Sequence, residues 1–254
     1  TMQKTTNAYI SPHLIRFNER FELGTSIISN KDLSLLLTEI KNINANKPIT
    51  FFEITSACFF LAAVRKKADY TLLEVGLGGR LDSSNVMTPK ISVISSISND
   101  HHDFLGDTIE KIAYEKAGII KSNTPVVIGR QPFTEALDIL VEQAGKHNSP
   151  TYIYNKDWNI ESKNNKIYYT DTDGEVILEP LKIHGDFQIY NLGLAIATVK
   201  QIEAAKIIEQ MRQERIKNEY EVQKLQAQKE HEAKAAQIEA NRMQAANEQN
   251  RTGG

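Results

Sequence analysis

The chain has 254 residues, 41% of them apolar, enough to enclose one core or two, so a purely disordered polypeptide is excluded. A formal net charge of −2, from 30 basic and 32 acidic residues, gives no global positive field toward nucleic acid, and partners must be argued from sites. Cys58 is the only cysteine, which excludes an intrachain disulfide and a cysteine metal cage and fits a reducing compartment. The longest apolar stretch, 57–64, is too short to cross a bilayer, and the first residues lack the basic and hydrophobic blocks of a signal peptide. The expectation is a soluble, cytoplasmic protein that contacts neither nucleic acid nor membrane.

In chain order, the apolar periodicity predicts helices over 32–43 and 51–66, then a strand over 71–75 that runs into a glycine cluster. A second strand is predicted over 91–97 and a helix over 108–121, opened by a capping box of Asp107 and Glu110. A strand over 125–128 and a helix over 133–147 follow. Strands alternating with helices argue for a largely parallel sheet covered by helices. From 152 to 180 the runs shorten around the turn "DTDG", which reads as a β-hairpin region at the domain edge.

The punctuation stops near residue 200. The last proline is Pro180, and no glycine lies between Gly193 and Gly253. The chain is therefore read as two domains, 1–200 and 201–254, the second a long charged helix rich in Ala, Glu, Lys, Gln and Arg. Ile208, Met211, Val222 and Leu225 fit a heptad, but Arg215, Asn218, Lys229 and Glu232 fall on the same seam. Such a seam allows at most weak self-association, with a solitary solvated helix as the plainer reading.

Two polar groups stand at the ends of strand-like runs. Glu74 precedes Gly76, Gly78 and Gly79, which permit a tight turn with close backbone approach, at a strand end of the kind where α/β sheets open ligand crevices. A carboxylate buried there would need compensation. Pairing with Arg80 is one solution. A cation shared with His101, at the end of the run 91–98, is the other, since neighbouring strand ends would bring carboxylate and imidazole together.

Four segments then resemble the folylpolyglutamate synthase/dihydrofolate synthase family of the Mur ligase superfamily: "YISPHLIRFNER", "LLEVGLGGRLDSSNV", "SISNDHHDFLGDTIEKIAYEKAGIIK" and "GDFQIYNLGLAIA", in that order and spacing. The resemblance implies a Mur-ligase-type central ATPase domain and an ATP-dependent amide ligase. In that chemistry a folate or dihydropteroate carboxylate is phosphorylated to an acyl phosphate, which the amine of L-glutamate attacks. It implies ATP and Mg2+ as cofactors, with Ser11, Glu74 and His101 contacting the metal. Lys116 matches a lysine that the family carbamylates. Gln188 and Asn191 fall near the nucleotide, although Phe187 stands where histidine is usual. The resemblance also sets out two departures. The family's G-T-N-G-K-G-S phosphate loop has no counterpart in these residues, since "AGKH" at 144–147 lacks the first glycine and the hydroxyl residue. The family's C-terminal domain, with its glutamate site, is replaced after residue 200 by the charged helix. The expectation is a partial ATPase domain without turnover of its own, with a non-catalytic remnant or a helix-mediated interaction protein as alternatives.

Overall fold

The computed structural model describes residues 4–100, 102–182 and 185–252. The chain forms two compact units, Thr1–Thr198 and Val199–Gly254. Within the first, the described strands make three sheets.

The first sheet gathers β1 (Thr6–Tyr9), β2 (Phe21–Leu23), β3 (Ser26–Ile27) and β4 (Tyr70–Leu73) in the order β3-β2-β1-β4. β1 runs parallel to β4 and antiparallel to β2. Between β1 and β2 the chain makes a 3-10 turn, Phe17–Arg20. α1 (Asn30–Asn44) and α2 (Phe51–Arg65) connect β3 to β4. Both begin where the sequence supplies a cap. The Ser29 side chain accepts the Asp32 N–H, and Thr50 and Glu53 cap each other reciprocally, satisfying N–H groups that a helix start leaves unpaired. Phe21, Phe59 and Cys58 are fully buried between helices and sheet. The Tyr9 ring lies 5.5 Å from that of Phe21 and 5.2 Å from that of Phe59, and its hydroxyl is hydrogen-bonded to Thr55 at 2.8 Å.

The second sheet is wholly parallel. It holds β5 (Ser92–Ile94), β6 (Val126–Ile128) and β7 (Thr151–Ile153), in that order. α3 (His102–Leu105) and α4 (Ile109–Ala117) lie between β5 and β6, and α5 (Thr134–Lys146) between β6 and β7. The three residues of β6 are fully buried, as expected of a central parallel strand whose two faces are both covered. Ile112 and Ala113 of α4 and Ala136, Leu140 and Ala144 of α5 close the core around it.

β8 (Trp158–Lys163), β9 (Lys166–Asp171) and β10 (Gly174–Leu178) form an antiparallel meander. The "DTDG" turn joins β9 to β10, with Asp171 opposite Gly174. α6 (Phe187–Thr252) follows, and its first turns, to Thr198, belong to the first unit.

The α/β class and the types of the strands and helices read between 32 and 147 agree with the structure, while β1, β2 and β3, which make the first sheet mixed, have no counterpart in the sequence reading and α6 begins at Phe187 rather than near 201; four further details differ. The helix expected over 108–121 ends at Ala117, because the Ile119 and Ile120 N–H groups bond three residues back to Lys116 and Ala117 and tighten the chain into a turn. Its cap is Thr108, whose side chain accepts the Lys111 N–H, while Asp107 turns outward to the Lys111 ammonium at 2.7 Å. The region 152–180 is more than an edge hairpin, because Trp158, Ile160, Ile167 and Tyr169 bury one face of the meander against Val127 and Leu194. Finally, β4 and β5 belong to different sheets, so the strand ends that follow Leu73 and Ile94 are not those of hydrogen-bonded neighbours.

Candidate functional site

β1 and β4 end together, with Tyr9 opposite Leu73. The next peptide continues the ladder, the Glu74 N–H donating to the Tyr9 carbonyl at 2.9 Å. The Glu74 side chain then turns across the strand ends, and its Oε2 accepts the backbone N–H of Ser11 at 2.7 Å. Two sequence-selected residues thus meet at the carboxyl ends of adjacent parallel strands. The burial invoked for Glu74 is not found: the residue is exposed, as befits the end of an edge strand. Among the described residues nothing donates to its Oε1. A carboxylate oxygen and a serine hydroxyl are hard donors of the kind Mg2+ takes alongside water and phosphate oxygens, so the pair fits that ion. No cluster of three His, Cys, Asp or Glu side chains suited to a metal occurs among the described residues, and His101 lies outside them.

The glycine cluster is shaped from within. Asp82 Oδ2 accepts the N–H groups of Gly76 and Leu77, each at 3.1 Å, and its Oδ1 accepts the Ser84 N–H at 2.8 Å. Gly78 holds a positive φ of 69°, a conformation that a Cβ would strain. The loop is seated on α4, where the Arg80 N–H donates to the Glu115 carbonyl at 2.8 Å and Asn85 Nδ2 donates to the Gly118 carbonyl at 3.0 Å. The pairing of Arg80 with Glu74 is not formed. The Arg80 guanidinium grips the Glu115 carboxylate, with Nη2 2.9 Å from Oε1 and Nε 3.1 Å from the same oxygen.

Lys116, beside that ion pair on α4, is half-buried. Burial lowers its pKa from the ordinary lysine value, and the charge of Asp100 opposes the shift. Asp100 itself accepts a hydrogen bond from the Ser98 hydroxyl. Gln188 and Asn191 occupy the first turns of α6, where Asn191 Nδ2 donates to Gln188 Oε1 at 3.5 Å. Phe187 beside them is 62% exposed. No hydrogen bond joins this pair to Ser11 or Glu74.

Three residues of this region escaped the sequence reading. Glu19 accepts the N–H groups of Leu14, Ile15 and Arg16 at 2.8, 3.2 and 2.9 Å, which shapes the loop after Ser11 and lowers the pKa of its carboxyl. Arg20 is buried with its Nε on His13 Nδ1 at 3.1 Å. Asp82 is the clamp already described. Their common signal is a polar side chain next to a turn, which is too frequent in loops to single out a site.

Residues 4–199 match the Mur ligase middle domain. The dihydrofolate synthase/folylpolyglutamate synthase of Bacillus subtilis is 43% identical over 155 residues, 58% of this chain and 35% of the relative. The folylpolyglutamate synthase of Lacticaseibacillus casei is 31% identical over 208 residues, 77% of this chain and 48% of the relative. Among solved structures, Mycobacterium tuberculosis folylpolyglutamate synthase, complexed with ADP and AMPPCP, superposes with a TM-score of 0.72 at 28% identity, over 80% of this chain and 50% of that one. The chain thus spans half or less of the length of these relatives.

Proposed function

Because the chain belongs to the folylpolyglutamate synthase/dihydrofolate synthase family of Mur ligases, we propose that its first unit is the metal- and nucleotide-facing part of an ATP-dependent amide ligase of folate metabolism. The observation that carries this reading is the Ser11–Glu74 contact of 2.7 Å at the joint ends of β1 and β4. Glu74 Oε1 and the Ser11 hydroxyl are the groups that would hold Mg2+, with His101 as a third ligand. When bound, the ion supplies charge neutralisation between ATP phosphate oxygens and the carboxylate that is phosphorylated. The Ser11 N–H on Oε2 fixes the direction in which Oε1 faces. Lys116, its amine neutral more readily because it is desolvated, is the candidate for carbamylation, which would exchange a cation for an anion beside the site. Gln188 and Asn191 are assigned to the nucleotide. Folate or dihydropteroate and L-glutamate are the proposed substrates.

Residues 1–254 contain no G-x-x-x-x-G-K-[ST] loop, so the backbone donors and lysine charge that such a loop brings to the β- and γ-phosphates must come from elsewhere. Losing one preorganised donor costs about 3 kcal/mol in a transition state. We therefore expect no ATP turnover by this polypeptide alone. A coupled ADP-release assay on residues 1–254 with Mg2+, glutamate and dihydropteroate or a reduced folate tests this, and glutamate-dependent turnover lost in Glu74→Ala would refute it. The metal assignment is read separately by Mn2+ relaxation enhancement. Glu74→Ala is expected to weaken Mn2+ binding about tenfold while leaving the fold intact, since an exposed side chain contributes little to stability.

A second proposal concerns the second unit. Ile208 and Met211 are 66% and 65% exposed on α6, and we infer weak self-association through this helix, limited by Arg215 and Asn218 on the same seam.

A further inference from the structure

Arg20 closes the 3-10 turn that leads into β2 and is only 9% exposed. Its guanidinium carbon lies 5.5 Å from the centre of the Phe17 ring, and its Nε donates to His13 Nδ1 at 3.1 Å. Nη1 is buried and has no acceptor. No ion pair to this guanidinium occurs among the described residues. Two acids at this end of the sheet are committed to backbone N–H groups, Glu19 to Leu14, Ile15 and Arg16, and Glu74 to Ser11. A permanently charged side chain that is only 9% exposed thus has one buried N–H without an acceptor and no counter-charge, an arrangement that costs free energy unless something supplies both an acceptor and a negative charge. Water would supply only the acceptor.

The position of Arg20 says what that partner meets. The Ile10 N–H donates to the Arg20 carbonyl at 3.1 Å, so Arg20 sits across from Ile10, one residue before Ser11. Arg20, Ser11 and Glu74 therefore share one end of the first sheet. The loop between them presents Leu14 and Ile15 almost wholly to solvent, at 93% and 85%.

We propose that Arg20 is an oxyanion-binding residue, its Nη1 receiving a carboxylate or phosphoryl oxygen that enters beneath the 11–16 loop, next to the Ser11–Glu74 contact. An oxyanion satisfies the orphaned N–H and the charge in one charge-assisted hydrogen bond. The site stands on the burial and missing partner of Arg20. Which oxyanion it takes rests on the ligase reading, in which both a substrate carboxylate and a phosphoryl group pass this strand end.

The test is a titration of the full chain, labelled with 15N-arginine, followed at the Arg20 Nε–H resonance, which is identified by its absence in Arg20→Lys. Inorganic phosphate and sodium benzoate are the probes, with sodium chloride at matched ionic strength as control. A saturable shift with either probe, absent with chloride, is the expected result. Phosphate alone would assign the phosphoryl source and benzoate alone the carboxylate. Arg20→Gln should weaken the responding probe, read by calorimetry, about tenfold or more. If neither probe moves the resonance of the folded protein, or chloride moves it equally, the inference is overturned. Binding of a fluorescent ATP analogue, measured in parallel, keeps the two readings apart: its failure with the anion shift retained counts against the nucleotide assignment and leaves Arg20 standing.

Discussion

Lys116 combines two features that an ordinary surface lysine lacks: it is half-buried, and it flanks the ion pair of Arg80 and Glu115. Desolvation penalises its ammonium, so its folded pKa lies below the ordinary 10.5, the nearby charge of Asp100 only partly offsetting this. The sign for stability follows. Between the lowered value and 10.5 the unfolded chain binds a proton that the native chain does not, so this group makes stability rise with pH through that window and costs most below it. Lys116→Met is expected to flatten that rise in denaturant midpoints measured across the window. The same neutral amine is the species that reacts with carbon dioxide. A carbamate carbonyl resonance should appear when the protein is equilibrated with 13C-bicarbonate, and should be missing in Lys116→Arg. Glu74 makes the opposite point at this scale. Its position before a glycine cluster was plain from the sequence, while its exposure and its bond to Ser11 were not, because both depend on β4 lying at a sheet edge beside β1.

At the scale of elements, α4 carries the consequences. Its cap is Thr108 rather than Asp107, so Thr108→Ala should cost about 1 kcal/mol in urea unfolding. Asp107→Ala, which removes a well-exposed i,i+4 ion pair, should change stability by less than about 0.5 kcal/mol. Equal effects would mean that the two residues share the cap. The sequence reading places the cap one residue early, at Asp107, since Asp and Thr are both good caps and lie side by side. At its other end α4 meets the glycine loop with no space to spare. A Cβ on Gly118 would overlap Arg80 Cα and Cβ, and one on Gly79 would lie 2.9 Å from the Glu115 carbonyl oxygen. Gly118→Ala must therefore push the loop off the helix. It is expected to destabilise by about 1–3 kcal/mol, and to alter the Glu74 side-chain environment in NMR spectra through the displaced loop. A silent substitution would show that the contact between loop and helix is slack.

At the scale of the whole molecule, the second unit offers its own test. Substituting Ile208 and Met211 together by Glu in the full chain should abolish any concentration dependence of the sedimentation coefficient, while the spectroscopic signature of the first unit stays unchanged. A dependence that survives would move self-association to another surface, of which exposed Leu72 and Val93 on edge strands β4 and β5 are the first to examine. No helix among the described residues is long and apolar enough to cross a membrane, in keeping with the short apolar runs of the sequence.

The sequence by itself determined the α/β class, the kinds and approximate positions of the main strands and helices between residues 32 and 147, and the family, but not β1, β2 and β3. Those properties rest on local signals: a period of two or of 3.6 residues, glycine clusters, and long motifs in a set order. Only the tertiary structure decided that β4 and β5 stand in separate sheets, that Arg80 pairs with Glu115 and leaves Glu74 free to take the Ser11 N–H, and that Arg20 is buried without a counter-charge. Each is a choice among partners far apart in the chain. Arg80 and Glu115 are separated by 35 residues and Ser11 and Glu74 by 63, and no local periodicity carries information about which edge, which carboxylate or which cavity a side chain will reach once the chain has closed on itself.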